Sequence, residues 1–299
     1  MKKGTIIALV VAIVLIVVGG ILVVMGLSFA GGGTQESILT EQTITATEPF
    51  DSIKINTQDC DVKFVPYNGD VNAQITILEQ DRVSHQVLVE DGTLTIKMTD
   101  QRKWTDHIRV FNVYGQTESM SMTLCIPNTL YESVYITTDT GDIRIPGVLQ
   151  AEEMTLRSDT GDVWLEGGPV QVLDCMLSTG GITVRGGEAE IMTLRTGTGK
   201  LDVTDVIAEE LHLGIDTGKT EVENVIAPIF TVNGGSGDME VENVQAEEYL
   251  QVFTDTGDID ITNSESLNVN IATDTGDITV PKAWEFQRIE TDTGKVKFQ

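Results

Sequence analysis

The sequence predicts an all-β fold: a parallel β-solenoid (β-helix) of about nine coils of 18–20 residues. A degenerate first coil with antiparallel hairpins precedes the regular coils, and one transmembrane helix precedes that. Three observations carry this expectation. A Thr-Gly or Ser-Gly turn recurs with its glycine at Gly141, Gly161, Gly180, Gly199, Gly218, Gly237, Gly257, Gly276 and Gly294. A fixed period of this size marks units that contact only their sequence neighbours. Two and four residues after the glycine stand apolar pairs, among them Ile143/Ile145, Val163/Leu165, Ile182/Val184, Leu201/Val203, Ile259/Ile261 and Ile278/Val280. Arg144, Trp164, Thr183, Asp202, Asp260 and Thr279 separate them, a period-two strand with one buried face. The third observation is the uncharged run from Gly4 to Gln35.

At the amino end, residues 1–4 read as a cytoplasmic tip and Thr5–Leu27 as an anchor. As a helix that run is about 34 Å long, enough for a bilayer core of ~30 Å. Lys2 and Lys3 precede it and acidic sequence follows, which places the amino terminus in the cytoplasm and the remainder outside the cell membrane. Cleavage as a signal peptide after Ala30 is the competing reading, although the apolar run exceeds the usual h-region. Residues 28–47, rich in Gly, Thr and Ser, read as a flexible tether.

Residues 48–130 read as a degenerate coil and hairpin cap. Ile53, Ile55, Asp61, Val62 and Phe64 match the columns of Val269, Ile271, Asp277, Ile278 and Val280, with Cys60 in place of the turn glycine. Asn68-Gly69 and Asp91-Gly92 between alternating runs suggest antiparallel hairpins. Residues 104–118 read as a loop or long hairpin, and Met120, Met122, Leu124 and Ile126 as the lead into the first regular coil.

Residues 131–299 are the regular repeats. A second strand enters each turn, with Val134/Ile136, Met154/Leu156, Met192/Leu194, Leu211/Leu213 and Leu250/Val252 inward. Six residues after the turn glycine come Gly147, Gly167, Gly186, Asp205, Asn224, Asn243 and Asn263, types that tolerate a left-handed backbone at a second corner. Ala151, Ala189, Ala208, Ala227 and Ala246 mark a tight connection. An antiparallel meander is the rival arrangement, since Asp-Thr-Gly-Asp also resembles a hairpin turn. Uniform columns favour parallel, in-register stacking.

Composition narrows the function. The net charge is −27, and every one of the 46 acidic residues lies beyond the anchor. Such a surface repels nucleic acid and suits cations, basic partners or solubility. Asp139, Asp159, Asp255 and Asp274 stand two residues before their turn glycines, and Asp142, Asp162, Asp238, Asp258 and Asp277 just after them. With coils ~4.8 Å apart these form two carboxylate columns, a candidate Ca2+ edge of all-oxygen ligands. The alternative is turn closure by local side-chain to backbone hydrogen bonds. Lys200, Lys219 and Lys295 interrupt the second column. The outward aromatics Trp164 and Phe253 are candidate contact residues. Cys175 falls in an inward column, and Cys60 and Cys125 fall in the cap, where pairing is open. His85, His107 and His212 are scattered and show no metal-site spacing. No nucleophile elbow, zinc-protease helix or phosphate-binding glycine loop is present. A glycoside-cleaving carboxylate pair cannot be singled out among so many turn aspartates.

The single apolar N-terminal run, Ile-Lys-Ile-Asn-Thr at 53–57, Leu-Cys-Ile-Pro at 124–127 and the repeated Ser/Thr-Asp-Thr-Gly-Asp-Ile/Val units make residues 48–299 resemble the bacterial putative-adhesin family of β-strand-repeat domains. That resemblance implies membrane-anchored envelope proteins of unassigned function, some encoded with envelope-stress signalling systems, and no catalytic residue to carry over. The expectation is a non-enzymatic cell-surface protein. It would display an acidic solenoid for adhesion to envelope or extracellular polymers or proteins. The alternative is an accessory or regulatory scaffold of an envelope-stress response.

Overall fold

The computed structural model describes residues 39–67, 69, 72–102, 119–147, 149–284 and 287–299. The expected anchor at 5–27, the tip and the stretch 103–118 lie outside the described residues. Among the described residues, no helix is long and apolar enough to cross a membrane.

The described chain is a β-solenoid of about nine turns with almost no helix; its only helical segment is the short 3-10 turn Lys282–Trp284. Successive coils pair parallel and in register, which settles the choice against the meander. One inward column runs Val134, Met154, Leu173, Met192, Leu211, Phe230, Leu250 and Val269. The next runs Ile136, Leu156, Cys175, Leu194, Leu213, Val232, Val252 and Ile271. These side chains are almost fully buried. At ~1.5–3 kcal/mol for each buried aliphatic side chain, the interior stabilises the stack only because neighbouring coils close it. Asp205, Asn224, Asn243 and Asn263 have φ of 50–57°, and Gly167 and Gly186 are also positive, so the second corner is left-handed there as expected, though not at Gly147.

The cap departs from its expected order. Strands β1 (Leu39–Ala46), β2 (Ser52–Asn56), β3 (Cys60–Tyr67), β4 (Ala73–Gln80), β5 (Val83–Glu90), β6 (Thr93–Asp100), β7 (Met120–Pro127), β8 (Leu130–Thr140) and β9 (Ile143–Ile145) build it and the first regular coil. The degenerate coil β2–β3 carries β8 and β9 on one side, with Ile55 against Ile136 and Val62 against Ile143. On its other side lie β6 and β7, with Ile55 against Ile96 and Phe64 against Leu124. The later segment β6–β7 is therefore a layer beneath the degenerate coil and does not lead directly into the regular one.

Further strands close that end antiparallel: β4 on β7, β1 on β4 and β5 on β6. Part of the expected tether is thus strand β1. Asp91-Gly92, with φ of 49° and 74°, turns the β5–β6 hairpin as expected. Strands β3 and β4, on either side of Asn68-Gly69, do not pair as the expected hairpin, because β3 pairs with β7 and β9 while β4 lies beyond β7. Antiparallel edges protect a solenoid end from unwanted strand addition.

All three cysteines are free. Cys125 stands opposite Val65 and Cys60 opposite Met120, so register separates the two cap thiols. Burial pushes the thiols of Cys60 and Cys175 up to about 12, whereas Cys125 is half-buried. A thiol reagent at pH 8 is expected to label Cys125 alone in the folded protein and all three in guanidinium, because the thiolate is the reactive form. Mass spectrometry of labelled peptides checks this; rapid native labelling of Cys175 would contradict the register.

Candidate functional site

Each coil presents its outward side chains in columns, and the turn edge shows what they do. The residue after the turn glycine donates its backbone N–H to the aspartate in the same place one coil earlier. Asp142 donates to Asp61 Oδ1 at 2.9 Å, Asp162 to Asp142 at 3.0 Å, and Gly181 to Asp162 at 2.7 Å. The series resumes with Asp258 on Asp238 at 3.0 Å, Asp277 on Asp258 at 2.7 Å and Lys295 on Asp277 at 3.0 Å. The carboxylates close the turn between coils, not within one turn as the local reading held. Between the two coils in which Lys200 and Lys219 replace aspartate, the backbone pairs straight through the corner, Gly199 on Gly218 and Lys200 on Lys219. Strands there run unbroken over Glu188–Thr204 and Ile207–Ile226.

This bears on the expected Ca2+ edge. Oδ1 of Asp142, Asp162, Asp238, Asp258 and Asp277 is already occupied by an amide. Asp139, Asp159, Asp255 and Asp274 project as an exposed column. Among the described residues no group of three or more His, Cys, Asp or Glu side chains converges as a metal site.

Three residues before the turn glycine, several threonines turn inward. Thr138, Thr196, Thr254 and Thr273 are at most 3% exposed. Their hydroxyls donate to turn carbonyls of the preceding coil, as from Thr196 to Gly180 O at 2.8 Å and from Thr273 to Gly257 O at 3.2 Å.

The outward column between the second pair of inward residues changes character along the rod. It begins Lys63, Arg144, Trp164, Thr183 and continues Asp202, Glu221, Glu240, Asp260. In the acidic stretch Lys200 reaches Asp202 at 3.2 Å and Glu221 at 2.5 Å, while Lys219 reaches Glu221 and Glu240, both at 2.8 Å. Lys200 and Lys219 hold the Glu221 carboxyl below its usual range, and Lys297 with the Lys295 amide does the same for Asp277. A depressed carboxylate pKa contributes stability that is present above the unfolded value and is lost as pH falls through the folded one. Melting is therefore expected to drop from neutral toward strongly acid pH, and Glu221→Gln to flatten part of that drop. Circular dichroism melts of both proteins check it; parallel profiles would remove these pairs from the cause.

At the basic end, the Arg144 guanidinium carbon lies 4.4 Å from the centre of the Trp164 ring. An open cleft of about 410 Å3 runs beside them, lined by Lys63, Phe64, Arg144, Pro146, Trp164 and Glu166 among others. Trp164 is half-buried, as is Phe253, which stands between Asn233 and Ala272 on another face. Sequence reasoning found Trp164 but missed Arg144 and Lys63 as site residues. The signal was present: all three occupy the same outward position in three successive coils.

A second constellation is buried in the cap. Glu79 Oε1 accepts from the His85 backbone N–H at 2.6 Å and lies 2.9 Å from His85 Nδ1. His85 Nε2 lies 3.1 Å from Thr57 Oγ1, which donates to Met98 Sδ at 3.4 Å. An acid, an imidazole and a hydroxyl in this order resemble a nucleophilic triad, but the His85 side chain is 0% exposed and Thr57 1%. The arrangement ties the elements of the cap together, and its imidazole and hydroxyl are closed off from solvent. His212, half-buried on an outward face, bridges Thr231 at 2.8 Å and Glu210 at 3.0 Å.

The sequence profile of the Toastrack DUF4097 family matches residues 50–297. No curated protein matches the chain. Among solved structures, a "putative lipid binding protein" from Parabacteroides distasonis ATCC 8503 is 14% identical, with 89% of this chain and 98% of that one covered and a TM-score of 0.50. A "putative adhesin" from Bacteroides fragilis NCTC 9343 is 18% identical over 89% of this chain and 100% of that one, with a TM-score of 0.44. Another from Parabacteroides merdae ATCC 43184 is 15% identical over 82% and 97%, with a TM-score of 0.47. At such identities the likeness concerns the fold alone.

Proposed function

We propose that this chain, which belongs to the Toastrack DUF4097 family, is a non-enzymatic binding module of the cell surface whose solenoid presents outward side chains to envelope or extracellular material. One observation carries the reading. The buried cap constellation and the aspartates after the turn glycines serve the frame, while the Arg144–Trp164 pair stands beside an open cleft. A site built on a stacked sheet keeps its geometry without help from a ligand, which lowers the ordering cost of binding. In this reading the run 5–27 holds the rod at the cell membrane with its amino terminus in the cytoplasm.

Beads coated with the full-length chain are expected to retain intact bacterial cells, and beads coated with a Trp164→Ala, Phe253→Ala variant to retain several-fold fewer. Equal retention by both would remove these aromatics from the function; no retention by either would remove adhesion itself. Protease digestion of the solenoid on intact cells tests the topology, with protection of the whole chain as the contrary result.

A further inference from the structure

We propose that the cleft beside Arg144 and Trp164 is a subsite for a carboxylate-bearing sugar, that is, a uronic acid unit of a glycan. This rests on the binding-module reading and names the ligand class of that same site.

On a chain of net charge −27, the column Lys63–Arg144–Trp164 places two cations on neighbouring coils. Beside the acidic stretch of that column, Lys200 and Lys219 are each paired with two carboxylates at 2.5–3.2 Å. Arg144 differs. Among the described residues its one ion pair, to Asp142, is long at 3.4 Å, and its side chain is 56% exposed. Lys63 is exposed and has no ion pair among the described residues. A carboxylate arriving here meets two cations without having to displace a tight internal pair.

The guanidinium lies over the indole ring, a contact that restricts rotamers an arginine would otherwise lose on binding. A fixed planar fork suits bidentate recognition of a carboxylate. Pro146 and Trp164 add apolar surface for the C–H face of a pyranose, and Glu166 adds an acceptor for ring hydroxyls. A bare inorganic anion would use neither the apolar wall nor Glu166. A neutral sugar would leave the cations unused. The site's attraction acts at contact range, since the Debye length at physiological salt is ~8 Å, so the acidic remainder of the rod does not cancel it.

The test uses the full-length chain in calorimetric or surface-plasmon titrations with three probes. Polygalacturonate carries sugar and carboxylate, dextran carries sugar alone, and polyphosphate carries charge alone. Galacturonic acid monomer is included as competitor, to separate recognition of the unit from recognition of the chain. Binding to polygalacturonate that exceeds both other probes at least tenfold is expected, with at least tenfold weakening in Arg144→Gln and in Lys63→Gln. Both substitutions are at exposed positions, so unchanged melting curves confirm the fold, and Trp164→Phe, which retains a ring, is expected to keep part of the affinity. Equal binding of polyphosphate would overturn the sugar assignment. Polygalacturonate binding that survives both cation substitutions would overturn the cleft while leaving a binding module in place. Absence of polygalacturonate binding overturns the proposal outright, and the bead assay above then decides separately whether the module binds anything.

Discussion

Gly218→Ala is expected to collapse the middle of the rod. A Cβ at this position would lie 1.7 Å from the carbonyl oxygen of Gly199 in the coil before it, and φ is +137°. Both effects act at once: the backbone conformation disfavours any L side chain, and the atom in the way is backbone, which cannot rotate aside. Strain of ~1–3 kcal/mol adds to overpacking of similar size, and the turn carbonyl cannot retreat without breaking the interface between coils. The next glycine up the stack, Gly237, meets Gly218 O in the same way, so a displaced coil passes the fault to its neighbour.

Gly214→Ala is the control. Its Cβ would meet only the flexible Arg195 side chain, at 3.2 Å to Cγ, and its φ lies outside the positive range. Melting of the three proteins by circular dichroism is expected to show a fall of roughly 10 °C or more for Gly218→Ala, at ~2–4 °C per kcal/mol for a domain of this size. Gly214→Ala should stay within a few degrees of wild type. In a repeat protein the loss need not be two-state, so hydrogen exchange should show protection falling first on both sides of residue 218. Equal melting of the two variants would refute direct stacking of the turn glycines.

The second large effect is expected in the cap. His85→Ala leaves the Glu79 carboxylate, 11% exposed, with the backbone N–H as its one described partner, and deprives the Thr57 hydroxyl of its imidazole neighbour. Leaving a buried hydrogen-bonding group without its partner costs about 1–3 kcal/mol, and more where that group is charged. Glu79 sits on β4, His85 on β5, Met98 on β6 and Thr57 after β2, so the deletion acts where four segments meet. Hydrogen exchange is expected to show β4 and β5 losing protection while residues 150–280 keep theirs. Glu79→Gln, which preserves shape and one acceptor, should cost less. A His85→Ala protein whose cap exchanges as slowly as wild type would show that apolar packing of Ile75, Ile77, Leu94 and Ile96 holds this end alone.

The sequence by itself determined the period, the all-β character, the two inward columns, both corners and the burial of Cys175. These follow from local rules repeated in register: alternation fixes a face, a stacked turn demands glycine, and a left-handed corner demands Gly, Asn or Asp. Parallel stacking makes one coil's pattern every coil's environment, so a column of identical residue types can be read as a column in space. Trp164 was legible for that reason, and Arg144 beside it was legible in principle.

The tertiary structure alone decided where the pattern gives no register. The layer β6–β7 returns beneath the degenerate coil because loop closure tolerates a long detour while apolar burial selects the partner, and neither leaves a local mark. The turn aspartates bond across coils because the unpaired amide they satisfy belongs to the next coil, some 19 residues away. Thr138 and its equivalents face inward because the bend at the turn carries their position into the interior, where each hydroxyl finds a carbonyl. His85 meets Glu79 and Thr57 only when β2, β4 and β5 come together. In each case the partner is chosen by how segments pack, and only the packed chain brings donor to acceptor.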